Sequence, residues 1–243
     1  FELPFTDGES FGGEDLAEML AYLQGEGILQ RQGGRWYWVG DSYPANAVSL
    51  RSVAEGNFVV IDAGGGGQNY PEDYDVVQRL HAESQMTLRI AYNLFAQKPG
   101  QELGDYERWI GMTEPGAGDD WLRMNGAGEN LAWSAADFEN FREPRPDPAP
   151  IMEDELEKIV ELLATNEWPF RIHATYDETI DRFLTVFERV NQRQPFKTRF
   201  IIDHAETISP RNIERIKALG GGIATQHRMA FQGEYFVDRY GAD

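Results

Sequence analysis

A chain of 243 residues with 41 acidic against 22 basic side chains carries a formal charge of −19, which argues against a general phosphate-binding surface for DNA, RNA or anionic membrane. It contains no cysteine, so disulfides, thiolate metal sites and cysteine nucleophiles are excluded, and His, Asp and Glu remain as metal ligands. No apolar run approaches the roughly 18 to 20 residues that cross a membrane, so a soluble protein is expected, assigned to the cytoplasm although composition leaves the compartment open.

Residues 12–23 place Leu16, Met19, Leu20 and Leu23 at helical spacing. Gly25 and Gly27 end that run, and Ile28-Leu29, the Gly33-Gly34 turn and RWYWVG follow as strand, turn and strand. This is the outline of a winged helix, a small α+β segment over residues 1–56. Its acidic residues, Glu9, Glu14, Asp15, Glu18 and Glu26, favour a packing module over a nucleic-acid contact.

From residue 57 the pattern becomes α/β. NFVVID is a strand that empties into Gly64 to Gly67, a glycine run lacking the G-x-G-x-x-G register of a dinucleotide site. Residues 74–82 predict a helix, MTLRIAYNLF a strand, and 103–112 a helix carrying Tyr106, Trp109 and Ile110. Residues 121–124 predict a strand ending at NGAGE, where Asn125 and Glu129 either face a substrate or cap a turn. FENFREPRPDPAP, with four prolines, reads as an ordered loop or lid, and residues 153–164 as a helix with Leu156, Ile159, Val160 and Leu163 inward.

The remaining units repeat one theme. Residues 169–172 predict a strand delivering His173; 179–193 a helix with Ile180, Phe183, Leu184, Phe187 and Val190 inward; 200–202 a strand delivering Asp203 and His204. Ser209-Pro210 starts another helix, residues 223–225 a strand delivering Gln226, His227 and Arg228, and an acidic, aromatic tail closes the chain without another clear strand. Chemistry in parallel α/β sheets collects at the carboxyl ends of strands, and imidazole is the commonest ligand for zinc and similar metals. Successive strand-end histidines point either to a shared metal pocket or to strand-end residues hydrogen-bonded locally.

Two resemblances add to this reading. ELPFTDGESFG, EGILQRQGGRWYWVGDSYPANAVSLRS and NFVVID resemble the accessory region that follows the motor domains in DEAD/DEAH-type superfamily 2 helicases. The chain has no G-x-x-x-x-G-K-[ST] loop and no DEAD or DEAH box, so ATP-driven unwinding is not expected of it. DAGGGGQNYPEDYDVV, RIAYNLFAQKPG, DDWLRMNGAGE, WSAADFENF, PFRIHATYDETI and IIDHAETISPRNIERIKALGGGIATQHRMAFQG resemble the amidohydrolase superfamily of metal-dependent hydrolases, specifically its large amidohydrolase-3 type branch.

That second resemblance implies an incomplete (β/α)₈ TIM-type barrel of about six strands over residues 57–243. It implies a site in which His173 and His204 hold zinc or another divalent metal, as the histidines ending the fifth and sixth barrel strands. The family's first-strand H-x-H pair has no counterpart here. Its eighth-strand aspartate finds none either, and Asp203 is the stand-in for handling the proton. Asn125, Gln226 and His227 are candidate substrate contacts. The expected function is metal-dependent hydrolysis of an amide or other non-peptide carbon-nitrogen bond. The alternatives are a non-catalytic fragment or interaction module, and a helicase-associated nucleic-acid-binding segment. Open barrel edges favour a homo-oligomer. The two resemblances meet at VVID, which implies a composite chain.

Overall fold

The computed structural model describes residues 59–63, 69–138, 141, 144–226 and 228–241, with 21, 24, 25, 29–32 and 35–38 of the N-terminal part. The chain divides into two compact units, Phe1–Phe58 and Val59–Asp243. In the first, β1 (Leu29–Gln32) pairs antiparallel with β2 (Arg35–Trp38), Leu29 opposite Trp38. The rest of the winged-helix outline lies outside the described residues, as does the Gly64 to Gly67 run.

The second unit alternates strand and helix: β3 (Val59–Asp62), α1 (Asp75–Ala82), β4 (Arg89–Leu94), α2 (Glu102–Ile110), β5 (Leu122–Ala127), α3 (Met152–Thr165) and β6 (Phe170–Ala174). It continues with α4 (Asp177–Arg193), β7 (Phe200–His204), α5 (Pro210–Ala218), β8 (Gly222–Thr225) and α6 (Met229–Tyr240). The strands form one sheet in the order β3-β4-β5-β6-β7-β8, every pair parallel. Because crossovers between parallel strands are right-handed, an order that never reverses lays successive helices on the same face. The result is a curled half-barrel and not a doubly wound sheet.

Strand alternation sorts the side chains. Phe170, Ile172, Phe200 and Ile202 turn toward the helices, where Phe187 of α4 meets Phe170 at 5.4 Å and Phe200 at 5.0 Å between ring centroids. Ile180, Phe183, Leu184, Phe187 and Val190 are all buried, the apolar stripe expected of this helix. The alternate residues Arg171, His173 and Asp203 take the concave face. Helix α5 begins as its sequence requires, with Pro210 in its first turn and Ser209 Oγ accepting from Asn212 N at 3.3 Å.

Two elements differ from expectation. The strand expected over 121–124 runs on to Ala127, which puts Asn125 inside β5 rather than in the loop after it. The aromatic tail forms α6, where Phe236 and Tyr240, one turn apart, touch at 5.0 Å and pack on Phe141 and Tyr176. The proline-rich segment is irregular through residues 144–149 but fastened. Arg145 pairs with Glu178 and lies over the rings of Tyr176 and Tyr240, and Arg182 of α4 donates to Pro148 O at 2.8 Å. Among the described residues no helix is long and apolar enough to cross a membrane.

Candidate metal centre

Three consecutive strands converge on one spot. At the end of β5, Gly126 and Gly128 bring the backbone against β6. A Cβ at Gly128 (φ 113°) would lie 2.0 Å from Arg171 O, and one at Gly126 would lie 2.2 Å from Pro169 O. Only a residue without a side chain permits that approach. Glu129 is thereby tied at both ends of its peptide unit, its N–H donating to Ala63 O at 2.6 Å and its carbonyl accepting from His173 N at 2.9 Å.

His173 is the penultimate residue of β6 and is 7% exposed. Its Nε2 lies 3.2 Å from Asp137 Oδ1 and 3.3 Å from Thr175 Oγ1, while its buried Nδ1 has no hydrogen-bond partner and faces Glu129 Oε2 at 3.8 Å. His204 closes β7 with φ 74°, followed by Ala205 at φ 53°. Left-handed backbone is uncommon outside glycine and tends to gather at functional sites. His204 Nδ1 lies 2.6 Å from Gln226 Oε1, and its Nε2 lies 3.1 Å from Glu129 Oε2. The two imidazole centroids are 4.3 Å apart.

Burial pushes the Glu129 carboxyl up, but the contacts with His173 and His204 outweigh it and hold the group at about 2. Burial would lower His204, yet Glu129 beside it raises it overall. Asp137, buried, is pushed up to about 6 against the pull of His173 and the Thr175 N–H. Burial likewise raises Asp203 against the Arg171 guanidinium.

One ligand atom from each of Glu129, His173 and His204 lies within 4.8 Å of the others. Donors held at about 2.0 to 2.1 Å around a tetrahedral ion are about 3.3 Å apart, and the Glu129 separations of 3.1 and 3.8 Å bracket that value. Gln226 accepting from His204 Nδ1 leaves the Nε2 lone pair facing a carboxylate, and His173 Nδ1 is an orphaned buried nitrogen. Both arrangements suit a cation at the centre and are unfavourable without a proton or an ion there. The donor set, two imidazoles and a carboxylate, is one that can hold a divalent metal ion.

The structure brings His173, His204 and Gln226 together. Asn125 donates to Asn93 Oδ1 at 3.4 Å and is not among the clustered donors; His227 lies outside the described residues. Asp203 is 3% exposed and receives Arg171 Nε at 2.6 Å, so any proton-handling role requires that ion pair to open. Removing one partner of such a buried pair strands the other. Asp203→Asn is expected to cost about 3 kcal/mol in urea denaturation, and a loss of activity with unchanged stability would instead place Asp203 in the chemistry.

Sequence reasoning weighed Glu129 only as a substrate contact or cap, and passed over Asp137 and Arg171. The available signal was positional, since NGAGE ends its strand with a ligand-type side chain just as the two histidine strands do.

The amidohydrolase family profile matches residues 45–243. The chain belongs to the amidohydrolase family. Two solved structures share the fold, both described as uncharacterized metal-dependent hydrolases. The one from Pyrococcus furiosus has a TM-score of 0.53 and 21% identity, over 79% of this chain and 38% of that one. The one from Pyrococcus horikoshii OT3 has a TM-score of 0.52 and 19% identity, over 75% and 35%. The chain thus spans under two fifths of the length of these two structures. An uncharacterized ATP-dependent helicase, YprA of Bacillus subtilis (strain 168), is 44% identical over 62 residues, 26% of this chain and 8% of the helicase.

Proposed function

We propose that this amidohydrolase-family chain acts in metal-dependent hydrolysis of an amide or other non-peptide carbon-nitrogen bond in a small molecule. The observation that carries the reading is the buried, unpartnered Nδ1 of His173 aimed at the Glu129 carboxylate, with His204 Nε2 completing the donor set. Glu129, His173 and His204 would hold a divalent cation, zinc by the donor types, whose chemistry is to polarise a carbonyl and acidify water. Glu129 contributes a carboxylate that is ionised at neutral pH, and Gln226 and Asp137 keep both imidazoles oriented. Asn125, on the concave face, is the proposed substrate contact, with Gln226 just after β8 and, from the sequence, His227. Asp203 remains the candidate proton acceptor on opening of its pair with Arg171.

Metal content by elemental mass spectrometry, on protein purified without chelator, tests this directly. About one zinc or similar ion per chain is expected; no ion retained, and none taken up on addition, overturns the reading. The absence of an H-x-H pair favours one other reading, a non-catalytic module that binds metal or partner without turnover. One ion per chain with no hydrolysis across amide substrates would select it. A homo-oligomer pairing through β3, where Val60 and Ile61 are exposed, fits either reading.

A further inference from the structure

Arg228 lies two residues beyond Gln226, at the N-cap of α6, and its guanidinium reaches the ends of two other strands. Nη2 donates to Thr175 Oγ1, just after β6, at 3.0 Å. Nε lies 2.7 Å from Oε1 of Glu206, two residues after β7, as an ion pair. The guanidinium carbon sits over the ring of Phe141, 4.9 Å from its centroid, and Phe141 is itself fully buried. The Glu206 side chain is 1% exposed, and neither of its oxygens has a hydrogen-bond partner. Among the described residues, Arg228 supplies its ion-pair partner, the condition under which a buried carboxylate is tolerated.

We infer that Arg228 is a positioning residue that clamps the end of β8 onto the ends of β6 and β7, and so holds Gln226 where it meets His204 Nδ1 at 2.6 Å. Its effect on metal binding rests on the metal-dependent reading of the Glu129, His173 and His204 cluster. Strand β8 offers Gln226 little support of its own. It is four residues long, half-buried except for an exposed Thr225, and pairs with β7 alone among the described residues. Gln226 is exposed, so packing does not fix it, and a freely rotating side chain loses entropy on settling against an imidazole. Anchoring the chain two residues further on confines the backbone from which Gln226 extends. Arginine suits this task because one planar group meets a carboxylate, a hydroxyl and an aromatic ring together, whereas a lysine ammonium is a single point of charge. A second route to the site runs through Thr175, whose Oγ1 is 3.3 Å from His173 Nε2, and the experiment must separate the two.

Arg228→Lys keeps a positive charge for Glu206 and gives up the planar fork. In metal-free protein, native-state amide exchange of β8 is expected to quicken about 10-fold or more. Exchange of β3, at the other end of the sheet, should not change, because its local opening leaves Arg228 in place. Zinc affinity by chelator competition gives the second readout. Gln226→Ala removes the partner of His204 and should weaken zinc about 10- to 100-fold. Arg228→Lys should reproduce much of that loss, and the double variant should bind no more weakly than Gln226→Ala alone. Losses that multiply in the double variant would place the effect of Arg228 at Thr175 or in general stability and overturn the inference. So would equal quickening of β3 and β8, unchanged β8 exchange, or unchanged zinc affinity in a folded Arg228→Lys. Should that variant not fold, the paired Glu206→Met, Arg228→Met protein, which strands no charge, takes its place with the same expected results. A wild-type protein that takes up no zinc overturns the metal reading, and β8 exchange then decides on the clamp alone.

Discussion

Glu129→Gln is expected to lower zinc affinity at least about 100-fold, near 2.7 kcal/mol, while leaving the protein folded; His173→Ala is expected to abolish binding. Competition against a chromogenic chelator measures both. Glu129 Oε2 is the only donor in the cluster that faces both imidazoles, at 3.1 and 3.8 Å, and the only one that brings negative charge. At about 2 its carboxyl is ionised throughout the neutral range, so a cation displaces no proton from it. Glutamine keeps the volume and one oxygen but removes that charge. Two neutral imidazoles then fall short of the three protein donors of a catalytic zinc site. Wild-type affinity in Glu129→Gln would show that the ion, if bound, sits elsewhere.

Gly128→Ala is expected to destabilise the chain by more than about 4 kcal/mol. The added Cβ would meet Arg171 O at 2.0 Å and Arg171 Cγ at 2.7 Å, on a backbone with φ 113° that L-residues rarely adopt. No rotamer relieves this, because the nearest atom is backbone and belongs to the adjoining strand. Gly104→Ala is the control. That glycine lies inside α2 with nothing within 4 Å of an added Cβ, and alanine there should stabilise by about 0.5 to 1 kcal/mol. Urea unfolding midpoints of the two variants separate steric conflict from a general intolerance of alanine. A Gly128→Ala protein as stable as the wild type would mean that β5 and β6 do not approach as closely as described.

Periodicity made the alternation of strands and helices legible, because each helix buries one stripe and each strand is short and apolar. Helix α4 was readable almost to the residue, and so were His173 and His204, since histidine after an apolar run is conspicuous. Glu129 was not, because an acidic residue after glycines is also ordinary turn chemistry; its role emerges only when β5 and β6 are set side by side. Asp137 was still less visible. It lies 36 positions from His173 in the chain, and nothing local to WSAADF says which ring it will meet. The tail that became α6 was obscured because its apolar residues are aromatic and interleaved with charge, and it finds partners, Phe141 and Tyr176, supplied by other elements.

The strictly sequential sheet has a dynamic consequence. Among the described residues, each strand of the sheet pairs with no strand but its chain neighbours, so amide exchange should be graded by position, with the ends of the sheet opening ahead of its middle. The fully buried β6 sits inside this gradient and the half-buried β8 at its margin. Gln226, which steadies His204, immediately follows β8. Transient detachment of that one marginal strand would therefore release a ligand's orientation while the core stays protected, tying the lifetime of a bound ion to local fraying rather than to global stability.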